Sequence, residues 1–415
     1  MTDRVLVAGA GIGGLTAALS LHAAGLPVQV VDAARSLRPV GVGINLLPHA
    51  VRELTELGLG DALAATAVPT AEMVHFDRHG NRIWGEPRGL ALGYHWPQYS
   101  LHRGELQRIL LDAAVARIGP VRTGAAVLGF EQLPGDGGVR VSFSGQRPAE
   151  TVSVLVGADG LHSAVRAQLH PGEGPPLWSG IRMWRGMTRG EPFLTGRTVA
   201  VLGCNATAKL VAYPVSRAAE SEGAALINWV AEVRSGASPG GADWDRAGQL
   251  ADVLPLFASW KVPWLDVPGL ISATSRILEY PMVDRDPLSS WGLGRVTLLG
   301  DAAHPMYPIG SNGASQAVLD ARVLARCLAL ASSPEAGLRA YEAERLPAVN
   351  ALVLANREMP ADRLLRAVAD RAPAGFDRVE DVLTPAELGS IEAAYRRTTG
   401  TDVALLNGRG SWSVR

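Results

Sequence analysis

Three glycine-containing turns, each directly after a short apolar run, constrain the fold of this chain more than any other feature. They are residues 9–14 (GAGIGG), 157–160 (GADG) and 300–305 (GDAAHP). Apolar runs bounded by turn residues predict buried strands, and each turn is followed by a helical pattern. Because the turns are spread over most of the chain, they predict a discontinuous α/β domain that wraps one large ligand.

The first turn has the properties of a dinucleotide-binding loop. Gly9, Gly11 and Gly14 permit a tight turn, close approach of the backbone to a pyrophosphate, and close packing of helix on strand. Asp32 ends the next apolar run, near the ~20-residue offset of a carboxylate that binds a ribose diol. The glycines alone fit any dinucleotide, but the strand, helix, strand and Asp32 together predict a nucleotide-binding βαβ unit.

The later turns carry carboxylates at two further strand ends. Asp301 lies where a ribityl hydroxyl would be held, and residues 306–315 lead into a helix whose N-terminus suits a reduced, negatively charged flavin ring. Asp159 lies in the middle turn, for which the alternative is an ordinary strand-to-helix turn capped by Ser163. His304 is predicted to have a structural role. The three turns together predict FAD as the cofactor.

Composition excludes several classes of function. The formal net charge is −1 and 47% of the residues are hydrophobic, so no basic surface for nucleic acid is expected. The two cysteines form no metal-ligand pattern, and no metal site is predicted. No apolar run approaches the ~20 residues of a membrane span, and no signal peptide is visible. A cytoplasmic protein is expected, either a monomer or a homodimer.

The middle of the chain differs from its flanks. Residues 181–233 are rich in tryptophan and in strand-forming residues, which predicts a separate sheet inserted into the nucleotide-binding domain. The predicted fold is therefore α/β. A Rossmann-type FAD-binding domain comprises residues 1–74, 100–177 and 275–330, a β-sheet substrate domain comprises 75–99 and 178–274, and a C-terminal helical segment comprises 331–415.

The three turns, together with residues 341–347 (YEAERLP), resemble the class A flavoprotein aromatic hydroxylases over nearly the whole chain. Five stretches resemble the phenazine-carboxylate hydroxylase branch: 38–45 (RPVGVGIN), 99–106 (YSLHRGEL), 183–186 (MWRG), 210–214 (LVAYP) and 280–287 (YPMVDRDP). One place departs from the wider family, in which glycine, glutamine, glycine and asparagine are usual where this chain has Ser311, Asn312, Gly313 and Ser315. The same variation is typical of the branch.

The resemblance implies roles for particular residues. The expected FAD-binding residues are Gly9, Gly11, Gly13, Gly14, Asp32, Val42, Gly43, Arg103, Asp159, Arg166, Asp301, Pro308, Gly310, Asn312 and Gly313. Of these, Asp159 and Arg166 belong to the motif that serves both FAD and the pyridine nucleotide. The expected substrate pocket consists of Met183, Trp184, Arg185, Tyr213, Trp229, Tyr280 and Tyr307. The aromatic residues have core packing as their alternative role. For Arg185, contact with a substrate carboxylate and a structural ion pair are both open.

The resemblance also implies a reaction. NADPH or NADH would reduce FAD, and a flavin C4a-hydroperoxide would transfer one oxygen atom from O₂ to an aromatic or polyketide-like secondary metabolite. The flavin carries out the chemistry, so no protein group is assigned as a catalytic residue. Baeyer–Villiger or epoxidising chemistry on the same fold is an alternative. A flavin reductase or dehydrogenase without oxygenation, and a flavin-binding regulator, are the other possibilities.

Overall fold

The computed structural model describes residues 2–38, 41–145, 147–236, 246–389 and 402–414. Pro39 and Val40, in the 38–45 stretch, lie outside the described residues. The strands are β1 (Thr2–Ala8), β2 (Val28–Val31), β3 (Gly43–Leu46), β4 (Val68–Pro69), β5 (Glu72–Phe76), β6 (Arg82–Pro87), β7 (Tyr99–His102), β8 (Val127–Gln132), β9 (Val139–Phe143), β10 (Glu150–Gly157), β11 (Leu177–Gly190), β12 (Thr198–Cys204), β13 (Ala208–Pro214), β14 (Ala225–Arg234), β15 (Leu278–Asp284), β16 (Gly292–Leu293) and β17 (Val296–Leu298).

The α-helices follow the patterns of apolar residues and caps in the sequence. They are α1 (Ile12–Ala23), α2 (Pro48–Glu56), α3 (Gly60–Thr66), α4 (Arg103–Ile118), α5 (Ala164–Leu169), α6 (Arg217–Ser221), α7 (Leu250–Phe257), α8 (Val267–Ser272), α9 (Asn312–Leu330), α10 (Pro334–Arg357), α11 (Pro360–Arg371) and α12 (Val403–Gly408). Among the described residues, no helix is both long and apolar enough to cross a bilayer.

The first sheet brings the three glycine turns together. Its strand order is β16-β17-β10-β1-β2, and β1 is parallel to both β10 and β2. Ala8 pairs with Gly157, and Gly157 pairs with Leu298, so the turns leave adjacent strand ends at one edge of the sheet. Helix α1 packs between this sheet and α9 through a buried apolar surface that includes Leu15.

The second sheet is almost entirely antiparallel, in the order β15-β11-β14-β13-β12-β5-β6. Its side chains alternate between two apolar layers, as the pleat requires. The outer face packs on α7 and α8, where Phe257 and Ile271 are buried. The inner face contacts the segments that follow β2 and β17. A third, small sheet has the order β3-β7-β4.

These pairings confirm the α/β fold with a parallel sheet, an inserted antiparallel sheet and C-terminal helices. The finer domain boundaries remain a prediction, and the strands do not follow all of them. β5 (Glu72–Phe76) crosses the boundary between residues 74 and 75. β15 (Leu278–Asp284) belongs to the second sheet, whereas the sequence assigned residues 275–330 to the first domain.

The end of the chain returns to the first domain. Arg52 of α2 donates hydrogen bonds to the carbonyl oxygens of Leu406 and Arg409, at 2.8 and 2.7 Å. The Arg409 side chain pairs with Glu53, whose side chain is fully buried. The described part of the C-terminal segment therefore packs on α2 as well as on the second sheet.

Candidate active site

In the first glycine turn, a side chain would clash with neighbouring atoms at three glycine positions but not at a fourth. A Cβ on Gly9, which has φ +108°, would lie 2.3 Å from the Ala158 carbonyl oxygen. One on Gly14 would lie 1.9 Å from the Gly9 oxygen, and one on Gly13 would lie 2.8 Å from Leu299. At Gly11, by contrast, no atom of the described residues lies within 4 Å of the Cβ position. This open backbone fits the close approach of a pyrophosphate.

Asp32 supports this turn from the end of β2. One carboxylate oxygen accepts a hydrogen bond from the Ala10 amide, and the other accepts one from the Ala34 amide, both at 2.7 Å. A carboxylate oxygen has a second lone pair, so each oxygen retains capacity for a sugar hydroxyl. The residues at this turn thus fit an adenosine diphosphate group.

The middle turn is occupied by internal contacts. Ser163 caps α5, and Asp159 accepts hydrogen bonds from the Ser163 hydroxyl and from the Ala164 amide, the latter at 2.8 Å. Burial raises the pKa of Asp159. The alternative interpretation as a capped strand-to-helix turn therefore describes its local geometry.

The Arg166 guanidinium contacts other parts of the protein. Its side chain is 2% exposed and pairs with Glu173. Nη1 also donates to the carbonyl oxygens of Ala302 and Ala303, at 3.0 and 2.7 Å. These bonds join the middle turn to the third turn. Arg166 therefore ties two motifs together, and its expected part in nucleotide binding stays a prediction.

Two other expected cofactor residues have charged side chains that form no contact with charged or polar groups of the described chain. Asp301 and Arg103 are both exposed. Within the described part of the chain, neither side chain has a hydrogen bond or an ion pair. The Arg103 backbone amide donates to the Val42 carbonyl at 2.9 Å, which anchors the start of α4 beside the 41–43 segment. Such free charges suit the hydroxyl and phosphate groups of FAD.

The loop before α9 is shaped for an anionic group. Gly310 and Ser311 both have left-handed backbone angles, with φ +68° and +61°. Asn312 is buried and its side-chain amide donates to the Ile309 carbonyl at 3.4 Å. Among the residues that the structure describes, no side chain caps α9, and no atom lies within 4 Å of a Cβ position on Gly313. The first amides of a long helix thus remain open beside the exposed Pro308.

Three side chains of the second sheet hold the backbone of Gly43. The Gly43 amide donates to Asn228 Oδ1 at 2.7 Å. Its carbonyl oxygen accepts from Tyr213 Oη at 2.9 Å and from Arg185 Nη2 at 3.0 Å. Burial raises the pKa of Tyr213, which keeps its hydroxyl protonated as a donor. Neither role expected for Arg185 describes this contact, and Asn228 was missed although it is a polar residue in an apolar strand.

An apolar inner cluster covers the same face of the second sheet. It contains three of the expected pocket residues, Met183, Tyr280 and Tyr307, together with Val42. Burial, followed by the negative charge of Asp284, raises the pKa of Tyr307 to about 12. The complete inner cluster comprises Val42, Ile181, Met183, Val230, Leu278, Tyr280, Met282 and Tyr307, with Val211, Ile309 and Met359 packed against it.

Trp184 and Trp229 do not join the inner cluster. Both point to the outer face, where they pack with the residues of α7 and α8. Trp229 Nε1 donates to Thr274 Oγ1 at 2.8 Å, which fixes its ring in the outer core. Because neighbouring residues of a strand face opposite sides, Met183 and Trp184 cannot both line one pocket. The structure thus places these two tryptophans in the outer core, which is the alternative role, and the membership of the substrate pocket stays a prediction.

Comparison with known proteins identifies the family. A model described as an FAD-binding domain matches residues 2–237 and 277–356. The chain is 50% identical over 407 residues to phenazine 1,6-dicarboxylic acid hydroxylase of Lysobacter antibioticus, covering 94% of this chain and 96% of that protein. It is 35% identical to a 3-amino-4-hydroxybenzoate 2-monooxygenase of Streptomyces platensis, covering 86% and 87%. The crystal structure of Klebsiella pneumoniae HpxO complexed with FAD and uric acid matches with TM-score 0.74 and 27% identity, over 98% of this chain and 95% of that one.

Proposed function

Because the chain belongs to the family of FAD-dependent aromatic hydroxylases, we propose that it uses NADPH or NADH to hydroxylate a fused-ring aromatic carboxylic acid of the phenazine type. The observation that carries this proposal is the inner cluster, which lies between the flavin-directed segments at Val42 and Tyr307 and the inner face of the second sheet. The identity with the Lysobacter enzyme supports the class of substrate.

The length of the inner face favours a flat molecule of more than one ring. Tyr213, Val211 and Lys209 alternate along β13 on this face, and four residues of strand span about 13 Å. Val211 pairs with Val230 between the two polar ends, so the floor is apolar. A fused aromatic system would cover this floor, whereas a single ring would cover only part of it.

Two buried donors near Gly43 support an oxygen-bearing substituent on the substrate. Within the described chain, Arg185 Nε and Asn228 Nδ2 are buried and have no hydrogen-bond partner. An unpaired buried donor is unfavourable unless a ligand supplies an acceptor. A carboxylate or ring oxygen at this end would pair both groups and orient the ring.

The chain's part in the reaction is binding, orientation and exclusion of water. FAD, when bound, supplies hydride acceptance and oxygen activation. Gly11, Asp32, Arg103 and Asp301 would hold its phosphates and sugars. The open N-terminus of α9 would stabilise negative charge on its ring.

The test is turnover of the purified holoenzyme with phenazine-1,6-dicarboxylic acid under isotopically labelled O₂. We expect faster NADPH or NADH oxidation and a product that has gained one labelled oxygen atom on the ring. Labelled oxygen in an ester or epoxide would support the other oxygenating chemistries. Peroxide release with unlabelled product would indicate a reductase and contradict the proposal.

A pair of arginine variants on one strand provides the matched control. Arg185→Lys should weaken the substrate's stimulation of NADPH oxidation, because lysine cannot donate to Gly43 and to a substrate acceptor with a fixed planar group. Arg189→Lys should leave the substrate's stimulation of NADPH oxidation unchanged, because Arg189 forms an exposed ion pair with Glu222. Equal stimulation in both variants would argue against a substrate contact at Arg185.

A further inference from the structure

Met359 has a backbone conformation that few residues with a side chain adopt. It joins α10 to α11 with φ +45° and ψ +55°. In the described chain it is one of three non-glycine residues with positive φ, along with Leu194 and Ser311. Left-handed backbone at a residue with a Cβ is unfavourable and persists only where the surroundings enforce it. The corner at residues 357–362 is therefore held in place by its contacts.

Ion pairs anchor this corner on the α10 side. Arg357 contacts both carboxylate oxygens of Asp284, Nε to Oδ2 at 2.6 Å and Nη2 to Oδ1 at 3.1 Å. The Asp284 side chain is 1% exposed, so this paired charge is nearly removed from water. Asn356 Nδ2 also contacts Met306 Sδ at 3.6 Å, which ties the end of α10 to the loop that carries Tyr307.

A second buried group anchors the α11 side. Asp362 lies 3.5 Å from Lys209 Nζ, which is 2.7 Å from Glu232 Oε2. The Asn205 amide donates to Asp362 Oδ1 at 3.2 Å. Glu232 of β14 lies opposite Met183 of the inner cluster in the pairing of β14 with β11. This anchor is therefore at the end of the apolar floor that is distant from Gly43.

Between the two anchors, Met359 packs against the inner cluster. Its sulfur lies 3.9 Å from Asn205 Nδ2. A methionine side chain is unbranched and polarizable, so it adapts to the edge of a flat aromatic ring. A fixed backbone with an adaptable side chain is an arrangement suited to closing the end of a pocket.

We propose that the corner at residues 357–362 is the third wall of the substrate site and that Met359 determines the length of ring system that the site accepts. This assignment rests on the proposed function. It gives the C-terminal helical segment a direct part in substrate choice, with the sheet as the floor and the flavin-directed loops as the opposite wall.

The test compares Met359→Gly with Met359→Leu in the holoenzyme. Glycine adopts the left-handed backbone freely and removes the side chain, whereas leucine retains an apolar group of similar size. With phenazine-1,6-dicarboxylic acid, Met359→Gly should raise Kd and KM about tenfold, leave kcat within twofold and release more peroxide. Met359→Leu should restore values near wild type. Binding of the single-ring probe 3-hydroxybenzoate should change less than twofold in either variant.

Leu194→Gly is the matched control, because Leu194 also has positive φ but is 44% exposed. It should relieve the same type of backbone strain and leave Kd and KM unchanged. Met359→Gly values within twofold of wild type, or an equal effect of Leu194→Gly, would overturn the assignment of Met359.

A measurement without substrate separates failure of this assignment from failure of the proposed function. The native Cys204 and Cys327 are buried, so in Met359→Cys the half-buried new thiol is the one that a pyrene maleimide should label preferentially. Bound FAD should strongly quench the emission of this pyrene by energy transfer, whereas it should quench the same label on Leu194→Cys much less. If the wild type binds no phenazine acid but the pyrene at residue 359 is quenched, the proposed substrate class is wrong and the assignment of residues 357–362 as the third wall is supported. If the pyrene is quenched equally in the two labelled variants, that assignment is wrong.

Discussion

His304 Nε2 lies 2.5 Å from Asp320 Oδ2, and this buried contact holds the third glycine turn against α9. The same carboxylate oxygen accepts from the Gly300 amide at 3.2 Å, while the other accepts from Arg345 Nε at 2.7 Å. Asp320 thereby joins both ends of the turn that presents Asp301. His304 has the structural role that the sequence predicted for it.

Asp320→Asn should destabilise the protein and weaken FAD binding. The substitution preserves shape but leaves Arg345 as a buried charge without its counter-ion, and breaking such a pair typically costs about 3–5 kcal/mol. We expect a lower free energy of unfolding in urea and at least a tenfold rise in the Kd for FAD, measured by flavin fluorescence. Glu344→Gln, which removes an exposed partner of Arg326, should change stability by less than about 1 kcal/mol. Equal effects of the two variants would contradict this assignment.

The same carboxylate predicts a pH dependence of stability. Burial acts to raise the pKa of Asp320, but the charges of His304 and Arg345 outweigh it and hold the pKa below its ordinary value. A lowered folded-state pKa gives stability that is present above the unfolded value of about 3.9 and is lost as pH falls through the folded value. Wild type should therefore lose unfolding free energy more steeply than Asp320→Asn below about pH 5. If the unfolding free energies of the two proteins fall in parallel as the pH is lowered, this prediction is wrong.

The edge at which the three turns meet was predictable because its signals are local. Apolar runs, glycines and following helical patterns lie within a few residues of one another, and the register of Ala8, Gly157 and Leu298 follows from parallel strands. The contacts of Arg166 and Trp229 were not predictable. Alternation along β14 does not say which face of the sheet meets the cofactor, and Arg166 donates to carbonyl oxygens 136 and 137 residues further along the chain. Asn228 and Met359 act on positions far away in sequence, as the separation of 185 residues between Gly43 and Asn228 illustrates.

Two glycines of the first turn should respond differently to alanine. In Gly11→Ala the new Cβ meets no atom of the described part of the chain within 4 Å and φ is −74°, so folding should be unaffected. The methyl group would instead occupy space expected for the pyrophosphate, and the Kd for FAD should rise at least tenfold. Gly14→Ala would place a Cβ 1.9 Å from the Gly9 oxygen and should destabilise the protein even without FAD. Thermal unfolding of the apoproteins and flavin titration measure the two effects, and unchanged FAD affinity in Gly11→Ala would exclude the proposed approach of the cofactor.

The Gly43 carbonyl should show energetic coupling between its two donors. In Tyr213→Phe the Arg185 donor remains, and in Arg185→Met the Tyr213 donor remains, so each single change should cost about 1 kcal/mol. The double variant leaves a buried carbonyl without either side-chain donor, which costs about 1–3 kcal/mol more, so the loss should exceed the sum of the single changes. Arg189→Met, at the exposed end of the same strand, is the control. Because we propose that the Gly43 segment faces the flavin, the double variant should also shift the flavin absorption spectrum. Additive stability changes with an unaltered spectrum would show that the two side chains do not act together on this peptide.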